Sequence, residues 1–280
     1  MEKIALSLQE ATVRYIGAPV ERPAALDRIT LDIRAGSWTA IVGRNGGGKS
    51  TLSKALAGIT PLSDGRRVVA AGGSVHLVMQ QPETQILGET AEEELSLCAA
   101  GAETEPTDPD ARRERWAALL RELGFSAPLD TPVNVLSGGQ KQLLNAAGCL
   151  VAGADCVVFD ESTSMLDPAS RLAVLDAAAS LHRSGRTVVW ATHRMEELVR
   201  ADRVLALEYG RIAFDGTPER FFYGDGTDPA PCDRLCFEPP YAVRTARALL
   251  AGGYPLQARP LSPESLAKAV TSAWPSAQLD

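Results

Sequence analysis

The segment that most constrains the fold is GRNGGGKST at residues 43–51, which directly follows the apolar run of residues 38–42. A strand, a glycine-rich turn and a helical pattern from residue 49 form the context that the pattern G-x-x-x-x-G-K-[ST] requires. Glycines let the backbone approach an anion closely, and amide groups at a helix start carry partial positive charge. The segment therefore predicts a phosphate-binding loop between a strand and a helix.

The side chains of this loop match the needs of a nucleoside triphosphate. We expect Lys49 to hold the β- and γ-phosphates, Ser50 to place its hydroxyl on Mg²⁺, and Thr51 to hydrogen-bond phosphate. The rest of the ATP cradle would be formed by Gly43, Arg44, Asn45, Gly46, Gly47 and Gly48. The alternative is a glycine-rich turn that only caps a helix.

A carboxylate pair follows another apolar run, CVVFDE at residues 156–161. The carboxyl ends of strands are where open α/β sheets bind ligands. Asp160 is suited to orient the Mg²⁺ shell, and Glu161 to polarise the attacking water as general base. Such a pair alone is weak evidence, but together with the phosphate-binding loop it predicts ATP hydrolysis.

Apolar runs and helical patterns alternate along most of the chain. Strands are expected at residues 29–33, 38–42, 156–159, 187–191 and 204–207. Helices are expected at residues 49–57, 111–123, 138–152, 168–182, 195–200, 241–251 and 263–273. This alternation predicts the α/β class, with a mostly parallel sheet wrapped by helices.

Charge argues against a protein that coats nucleic acid. The chain has 28 basic and 35 acidic side chains, a net charge of −7, so it is poorly suited to neutralising phosphates over a large surface. The five cysteines are scattered among apolar residues, which favours buried reduced thiols. Only Cys232 and Cys236 have a spacing that fits zinc, and no second Cys or His pair follows them.

The hydropathy pattern contains no membrane span. No apolar run approaches the roughly 20 residues that a transmembrane helix needs. The first ten residues, MEKIALSLQE, lack the basic start and uninterrupted apolar stretch of a signal peptide. We therefore expect the chain to remain in the cytosol.

The segment LSGGQKQ, residues 136–142, begins a helix about twenty residues before the carboxylate pair. It resembles the signature of the ATP-binding-cassette (ABC) family. Ser137, Gly138, Gly139 and Gln140 would present a hydroxyl and backbone amides to ATP at a helix start. In this family the signature helix of one cassette closes over the phosphate-binding loop of another, so the resemblance implies a dimer.

Four further positions match the family. Tyr15 resembles the aromatic residue that stacks on adenine, although a strand tyrosine can also be packing. Gln80 resembles the Q-loop glutamine that reaches Mg²⁺ and the lytic water. Asp167 belongs to the D-loop that crosses the dimer interface. His193, after TVVWAT, resembles the switch histidine that contacts the γ-phosphate.

The stretch MQQPETQILGETAEEEL, residues 79–95, resembles the energy-coupling factor branch of the family. In that branch a second glutamine, here Gln85, and acidic residues face the transmembrane subunit. The acidic candidates are Glu83, Glu89, Glu92, Glu93 and Glu94. The alternative is a solvated acidic helix start. The tail, from FEPPYAVRTARALL onward, resembles the extension that holds two such ATPases together.

The resemblance implies a P-loop NTPase cassette with a RecA-like parallel-sheet core, an antiparallel β subdomain, a helical signature subdomain and a C-terminal helical extension. We expect the nucleotide-binding domain at residues 1–222, its helical subdomain at about 86–152, and a linker with the dimerising extension at 223–280.

The implied function is that of an ATP-hydrolysing importer subunit for a vitamin or a transition-metal ion, peripheral to the cytoplasmic face of the membrane. Its implied partners are a second identical or similar cassette, a transmembrane coupling subunit and a substrate-binding membrane subunit, without nucleic acid. The main alternative is a soluble cassette ATPase acting on DNA or ribosomes, though such proteins usually show coiled coils or two cassettes. A scaffold without turnover would need a damaged Lys49, Glu161 or His193, and all three are intact.

Overall fold

A computed structural model describes residues 3–15, 23–100, 106–225 and 229–273. Within these ranges the strands form two sheets. The strands are β1 Ile4–Val13, β2 Leu26–Arg34, β3 Trp38–Gly43, β4 Asp64–Val69, β5 Val75–Val78, β6 Cys156–Asp160, β7 Thr187–Ala191, β8 Arg203–Glu208 and β9 Arg211–Gly216. The helices are α1 Lys49–Ala57, α2 Ala91–Cys98, α3 Pro109–Glu122, α4 Gly138–Val151, α5 Pro168–Arg183, α6 Pro218–Tyr223, α7 Pro231–Arg234, α8 Tyr241–Ala251 and α9 Pro263–Ala273.

The larger sheet has the strand order β5-β6-β7-β3-β8-β9 and is parallel except for β9. Strands β3, β6 and β7 are buried along their whole length. Burial on both faces is what an unbroken apolar run in a parallel sheet requires. The predicted α/β class and the parallel core are therefore confirmed.

The smaller sheet is antiparallel, with the order β2-β1-β4. Buried and exposed residues alternate along most of β2, so one of its faces is buried and the other is exposed. Helix α1 packs against both sheets: Leu52 and Leu56 share a core cluster with Leu6 and Leu8 of β1 and Val158 of β6. The phosphate-binding loop is thereby anchored to both sheets.

Helix α4 and its neighbours form the second large core. Trp116 and Leu120 of α3 pack in one cluster with Leu144 of α4 and Val174 of α5. Residues 195–200, expected to be helical, form a 3-10 helix at Met195–Arg200. The connection between β7 and β8 is short, and Glu197 within it points into the core, so the chain takes the tighter form.

The C-terminal segment divides between two clusters. Phe221, Phe222, Cys232 and Val243 belong to the core that includes α4, whereas Ala246 packs in a small separate cluster with Leu256 and Ala269. The extension thus begins against the cassette and ends in its own small core. The boundary at residues 222 and 223 stays a prediction.

The cysteines are mostly buried. Cys149, Cys156 and Cys232 lie in the interior, Cys98 is half-buried and Cys236 is exposed. Burial raises the pKa of Cys149 and Cys156 to about 12, so both remain thiols at neutral pH. Within the described ranges, no helix combines the length and apolar character that a membrane span needs.

Candidate nucleotide-binding and catalytic site

A cleft of about 790 Å³ lies over the phosphate-binding loop. Predicted site residues in its lining are Tyr15, Asn45, Gly46, Gly48, Lys49, Ser50, Thr51 and Glu161. The sequence did not predict the other lining residues, which are Arg14, Pro23, Ala24, Ala25, Tyr209 and Gly210. The cleft is large enough for a nucleotide and brings together β1, the loop, β6 and the turn after β8.

The loop has the backbone conformation that its glycines predict. Gly46 has φ 79° and Gly48 has φ 107°, both in the left-handed region. A Cβ at Gly48 would lie 2.8 Å from the carbonyl oxygen of Ala25. The carbonyl of Gly47 accepts a hydrogen bond of 3.1 Å from the Gly210 amide. The loop is therefore held between the start of β2 and the turn after β8.

Glu161 lies between the side chains of Lys49 and His193. Lys49 Nζ is 3.1 Å from Glu161 Oε1 and donates a hydrogen bond of 2.8 Å to the Gly43 carbonyl. His193 Nδ1 is 3.4 Å from Glu161 Oε2. The Lys49 side chain is only 4% exposed, whereas the His193 side chain is 46% exposed. The structure thus brings together three predicted catalytic residues from three separate chain segments.

Glu161 has an unusual backbone. Its φ is 49°, a region that non-glycine residues rarely occupy. Its amide donates a hydrogen bond of 3.0 Å to the Ala191 carbonyl at the end of β7. Strained residues of this kind cluster at functional sites because the surrounding structure must hold them in place. The strained residue directly follows β6, and its carboxylate contacts Lys49.

Asp160 is suited to a divalent cation. Its side chain is buried, and among the described residues its Oδ1 has no hydrogen-bond partner. Burial raises the pKa of Asp160, while a hydrogen bond from the Ser50 side chain opposes the rise. A hard cation would supply the partner that the buried carboxylate lacks, and carboxylate and hydroxyl oxygens are its preferred ligands. The residues present therefore fit Mg²⁺.

Tyr15 lies at the edge of the cleft. Its hydroxyl is 2.9 Å from Thr51 Oγ1, and the residue is 53% exposed. Packing in the core is therefore not its role. The stacking of Tyr15 on adenine stays a prediction, and the tether to Thr51 places the ring beside the loop.

Gln80 is connected to two other motifs. Its Nε2 donates a hydrogen bond of 3.0 Å to Ser164 Oγ in the D-loop. Gln142 of α4 donates to the carbonyls of Met79 and Gln80, at 2.9 and 3.2 Å. The Q-loop is thus tied to the D-loop and to the helix that begins within the signature.

The expected partner-facing role of Gln85 and Glu94 does not fit the structure. The side-chain amide of Gln85 binds the backbone at the end of β5. Its oxygen accepts a hydrogen bond of 2.6 Å from the Met79 backbone amide, and its nitrogen donates one of 2.7 Å to the Leu77 carbonyl. Glu94 is 5% exposed and accepts hydrogen bonds from the amides of Leu87 and Gly88 at 2.8 and 2.9 Å. Both side chains therefore stabilise the loop between β5 and α2 by hydrogen bonds to its backbone.

The other acidic candidates are closer to solvent. Glu83 forms an ion pair of 3.2 Å with Lys141, and Glu92 one of 3.3 Å with Arg113. Glu93 is exposed and accepts from the Glu89 amide at 2.9 Å. These carboxylates are accessible, and their role toward a partner stays a prediction.

The signature segment lies outside the cleft. Ser137 and Gln140 form a reciprocal cap at the start of α4, with hydrogen bonds of 3.2 and 2.9 Å. A Cβ at Gly139 would lie 2.6 Å from the Ser170 side chain of α5. Within the described residues, the lining of the cleft does not include Ser137, Gly138, Gly139 or Gln140. The start of α4 at Ser137 and Gly138, here called the signature tip, therefore lies elsewhere on the same chain.

Asp167 caps helix α5. Its Oδ1 accepts hydrogen bonds of 3.0 Å from the amides of Ala169 and Ser170. Hydrogen bonding by Ser170 holds the pKa of Asp167 below its usual value, so it is ionised at neutral pH. The D-loop thus leads directly into a capped helix start, and the part of Asp167 in an interface stays a prediction.

Sequence reasoning missed a buried carboxylate, Glu197. The residue is 3% exposed and accepts three hydrogen bonds. The donors are Thr163 Oγ1 at 2.9 Å, Trp190 Nε1 at 2.8 Å and Thr192 Oγ1 at 2.7 Å. Glu197 therefore joins the residues after β6 to the residue that precedes His193. The only signal in the sequence is its place four residues after that histidine.

Comparison with known proteins places the chain in a family. The family model described as ABC transporter matches residues 26–164. A putative ABC transporter ATP-binding protein of Methanosarcina mazei is 40% identical over 237 residues, 80% of this chain and 84% of that protein. The energy-coupling factor transporter ATP-binding protein EcfA1 of Symbiobacterium thermophilum is 38% identical over 269 residues, 90% of each chain.

Solved structures agree with this placement. CbiO1 of Clostridium perfringens, described as part of the ABC transporter complex cbiONQ, matches with TM-score 0.68 and 28% identity over 79% of this chain and 91% of that chain. The ATP-binding cassette MJ0796, in a dimeric structure bound to ADP and Pi, has the same fold, with TM-score 0.68 and 23% identity over 76% of this chain and 98% of that chain. With the cleft, the carboxylate pair and the signature helix in place, the chain belongs to the ABC transporter family and is an ATP-binding-cassette ATPase.

Proposed function

We propose that this chain is the ATP-hydrolysing subunit of an importer of the energy-coupling factor type. It would work at the cytoplasmic face of the membrane with a second cassette, a transmembrane coupling subunit and a membrane subunit that captures a vitamin or a transition-metal ion. A relative named as an energy-coupling factor ATPase matches 90% of the chain at 38% identity, and another matches 96% at 35%, which supports this branch. A soluble ATPase acting on DNA or ribosomes is less well supported.

The observation that carries hydrolysis is the contact of Glu161 with both Lys49 and His193. A triphosphate in the cleft would draw the Lys49 ammonium toward its terminal phosphates and away from the carboxylate. Glu161 would then be free to accept a proton from the attacking water. His193 would contact the γ-phosphate from the end of β7.

Ser50, Asp160 and Gln80 are the residues that would hold Mg²⁺. Bound there, the ion would offset the negative charge that builds up on the phosphates. The Ser50 side chain lies close enough to Asp160 to lower the pKa of its carboxyl, and Gln80 is held by Ser164. These contacts orient the three side chains before nucleotide binds, which reduces the reorganisation needed during the reaction.

The separation of the signature tip from the cleft supports a dimer. Ser137 would present its hydroxyl and the following amides to the triphosphate held by the Lys49 loop of a second cassette. Two copies arranged in this way would bury two nucleotides. In a single chain, the side of the triphosphate that faces away from the phosphate-binding loop would stay exposed to water.

Glu161→Gln tests this function. Gln cannot accept the proton from water, so we expect steady-state hydrolysis to fall by about 10²-fold or more while ATP still binds. The variant should also form an ATP-dependent dimer in sedimentation velocity with its membrane partners present. Glu196→Gln, an exposed neighbour of the buried Glu197, is the matched control. Near-normal turnover by Glu161→Gln would refute the assignment of the base.

The membrane role needs a separate experiment. Leu87 is 83% exposed beside the accessible carboxylates, which is unusual for a large apolar side chain. We expect Leu87→Ser, combined with Glu89→Lys, to reduce co-purification with the transmembrane subunit without changing ATP affinity. Ile59→Ser, at a residue 54% exposed after α1, is the control. Full co-purification of the double variant would contradict this surface.

A further inference from the structure

The turn between β8 and β9 is strained. Its two residues, Tyr209 and Gly210, have φ 50° and 73°. Two-residue hairpin turns with two positive φ values strongly favour Asn-Gly or Asp-Gly, because bulky side chains rarely occupy this region. Tyr209 thus occupies a position where the fold alone would favour a smaller residue.

The turn is fixed to the phosphate-binding loop. The Gly210 amide donates to the Gly47 carbonyl at 3.1 Å, and the Gly210 carbonyl accepts from the Asp27 amide at 2.9 Å. Asp27 also accepts a hydrogen bond of 2.8 Å from Arg211 Nε. A Cβ at Gly210 would lie 2.7 Å from the Ala25 carbonyl oxygen, so the close approach requires glycine. The backbone of Tyr209 therefore keeps a constant position relative to the loop.

The side chain of Tyr209 is open to solvent. The residue is 81% exposed, and it lines the same 790 Å³ cleft as Tyr15. The Tyr15 side chain is held by its hydroxyl at Thr51, inside helix α1, whereas the backbone next to Tyr209 is held at Gly47, before that helix begins. Two aromatic residues, anchored at different points along one phosphate-binding loop, thus share the cleft.

We propose that Tyr209 contacts the nucleobase and forms a second aromatic wall beside Tyr15. A purine is a flat ring with two faces, and stacking on an aromatic side chain stabilises bound bases. Such a contact would account for a large aromatic residue at a strained and exposed turn. The inference rests on the assignment of the cleft to ATP, and it adds a residue that discriminates among bases.

Tyr209 also borders a smaller cavity of about 310 Å³, together with Leu235 and Phe237 of the C-terminal segment. If the Tyr209 ring packed in this second cavity instead, it would stabilise the C-terminal segment and would have no effect on which base is bound. The two roles therefore predict different effects of Tyr209 on the affinities of nucleotides that have the same triphosphate but different bases.

The test measures the affinities of ATP, UTP and inorganic tripolyphosphate for the full chain by calorimetry. We expect Tyr209→Ala to weaken ATP binding by about 5- to 30-fold, in line with the loss of one stacking contact. Tripolyphosphate affinity should stay within about 2-fold, and the ratio of ATP to UTP affinity should fall, since a pyrimidine offers less area for stacking. Tyr209→Phe should retain the wild-type values.

Two further variants separate stacking from strain and from surface effects. Tyr209→Asn relieves the backbone strain, so its stability should rise while its ATP affinity falls like that of the alanine variant. Tyr241→Ala, at a tyrosine 72% exposed on α8, should change neither affinity nor ratio. An equal loss of ATP and tripolyphosphate binding, or an unchanged ATP to UTP ratio, would overturn the proposal. If the wild-type chain bound no ATP at all, the assignment of the cleft would fail first.

Discussion

Glu197 gives the most direct test of how the end of β7 is held in place. Its buried carboxylate accepts hydrogen bonds from Thr163, Trp190 and Thr192. Glu197→Ala would leave three buried donors without their acceptor, at about 1–3 kcal/mol for each donor. Two of the donors are hydroxyls that can rotate, so we expect a total destabilisation of about 3–6 kcal/mol. This is a large part of the roughly 5–15 kcal/mol that stabilises a typical protein.

Glu197→Gln is the sharper change because it keeps the shape. The glutamine oxygen can still accept, but the amide nitrogen is a donor and must face at least one of the three existing donors. Charge-assisted hydrogen bonds are also replaced by neutral ones. We therefore expect a loss of about 2–3 kcal/mol in the free energy of unfolding.

Equilibrium unfolding in urea measures both variants, with Glu196→Gln as the control at the exposed neighbouring position. Because Thr192 directly precedes His193, we also expect the maximal rate of ATP hydrolysis to fall in Glu197→Gln. Free energies of unfolding within about 0.5 kcal/mol for Glu197→Gln and Glu196→Gln would refute the reasoning, since surface changes are usually of that size.

Three other substitutions test the phosphate-binding loop, the signature helix and the C-terminal segment. Gly48→Ala puts a Cβ 2.8 Å from the Ala25 carbonyl oxygen at φ 107°, so ATP affinity measured by calorimetry should fall by about 10-fold or more. Gly139→Val forces α4 away from a serine side chain of α5 that a Cβ would approach to 2.6 Å; hydrolysis should drop by about 10-fold or more while ATP binding to the isolated chain persists. Arg247 lowers the pKa of Asp233 by hydrogen bonding, so this carboxylate stabilises the fold above its unfolded pKa of 3.8 and loses that contribution as pH falls through the lower folded value. The difference in unfolding free energy between wild type and Asp233→Asn should therefore be greatest near neutral pH and shrink toward pH 3, as followed by urea unfolding at each pH.

Much of the nucleotide side of the fold could be predicted from the sequence. Helix α1 at Lys49–Ala57 and strand β7 at Thr187–Ala191 have the predicted bounds. Both are fixed by strong local signals: a glycine-rich loop before the helix, and an unbroken apolar run in the strand. The contacts between Lys49, Glu161 and His193 follow from placing these motifs at one edge of a parallel sheet.

Strand β1 illustrates what the sequence conceals. It runs from Ile4 to Val13 but has three register irregularities in its pairing with β2, and Glu10 has φ 50°. These irregularities break the alternation of buried and exposed residues that reveals a strand. A search for period-two alternation therefore misses β1, although its side chains pack in one core cluster with those of α1.

The acidic first turn of α2 was interpreted incorrectly for a different reason. Glu92, Glu93 and Glu94 are adjacent in the sequence and look alike, yet only Glu94 folds back to bind the amides of Leu87 and Gly88. Gly88 permits this approach, because a Cβ there would lie 2.4 Å from the Glu94 amide nitrogen. Such a loop depends on its three-dimensional closure, which neither charge nor periodicity predicts.

The hydrogen bonds from Gln142 have a mechanical consequence. Because this one side chain on α4 donates to the carbonyls of Met79 and Gln80, we expect a displacement of the segment that leads to Leu87 to be transmitted to α4. Such a displacement would act on the helix that begins directly after Ser137, and it would also move the backbone that carries the Gln80 side chain. A membrane partner pressing on this loop would therefore reposition two groups at once: the glutamine beside its own cassette's ATP and the serine tip offered to the neighbouring cassette. Both nucleotides would thus sense a single displacement.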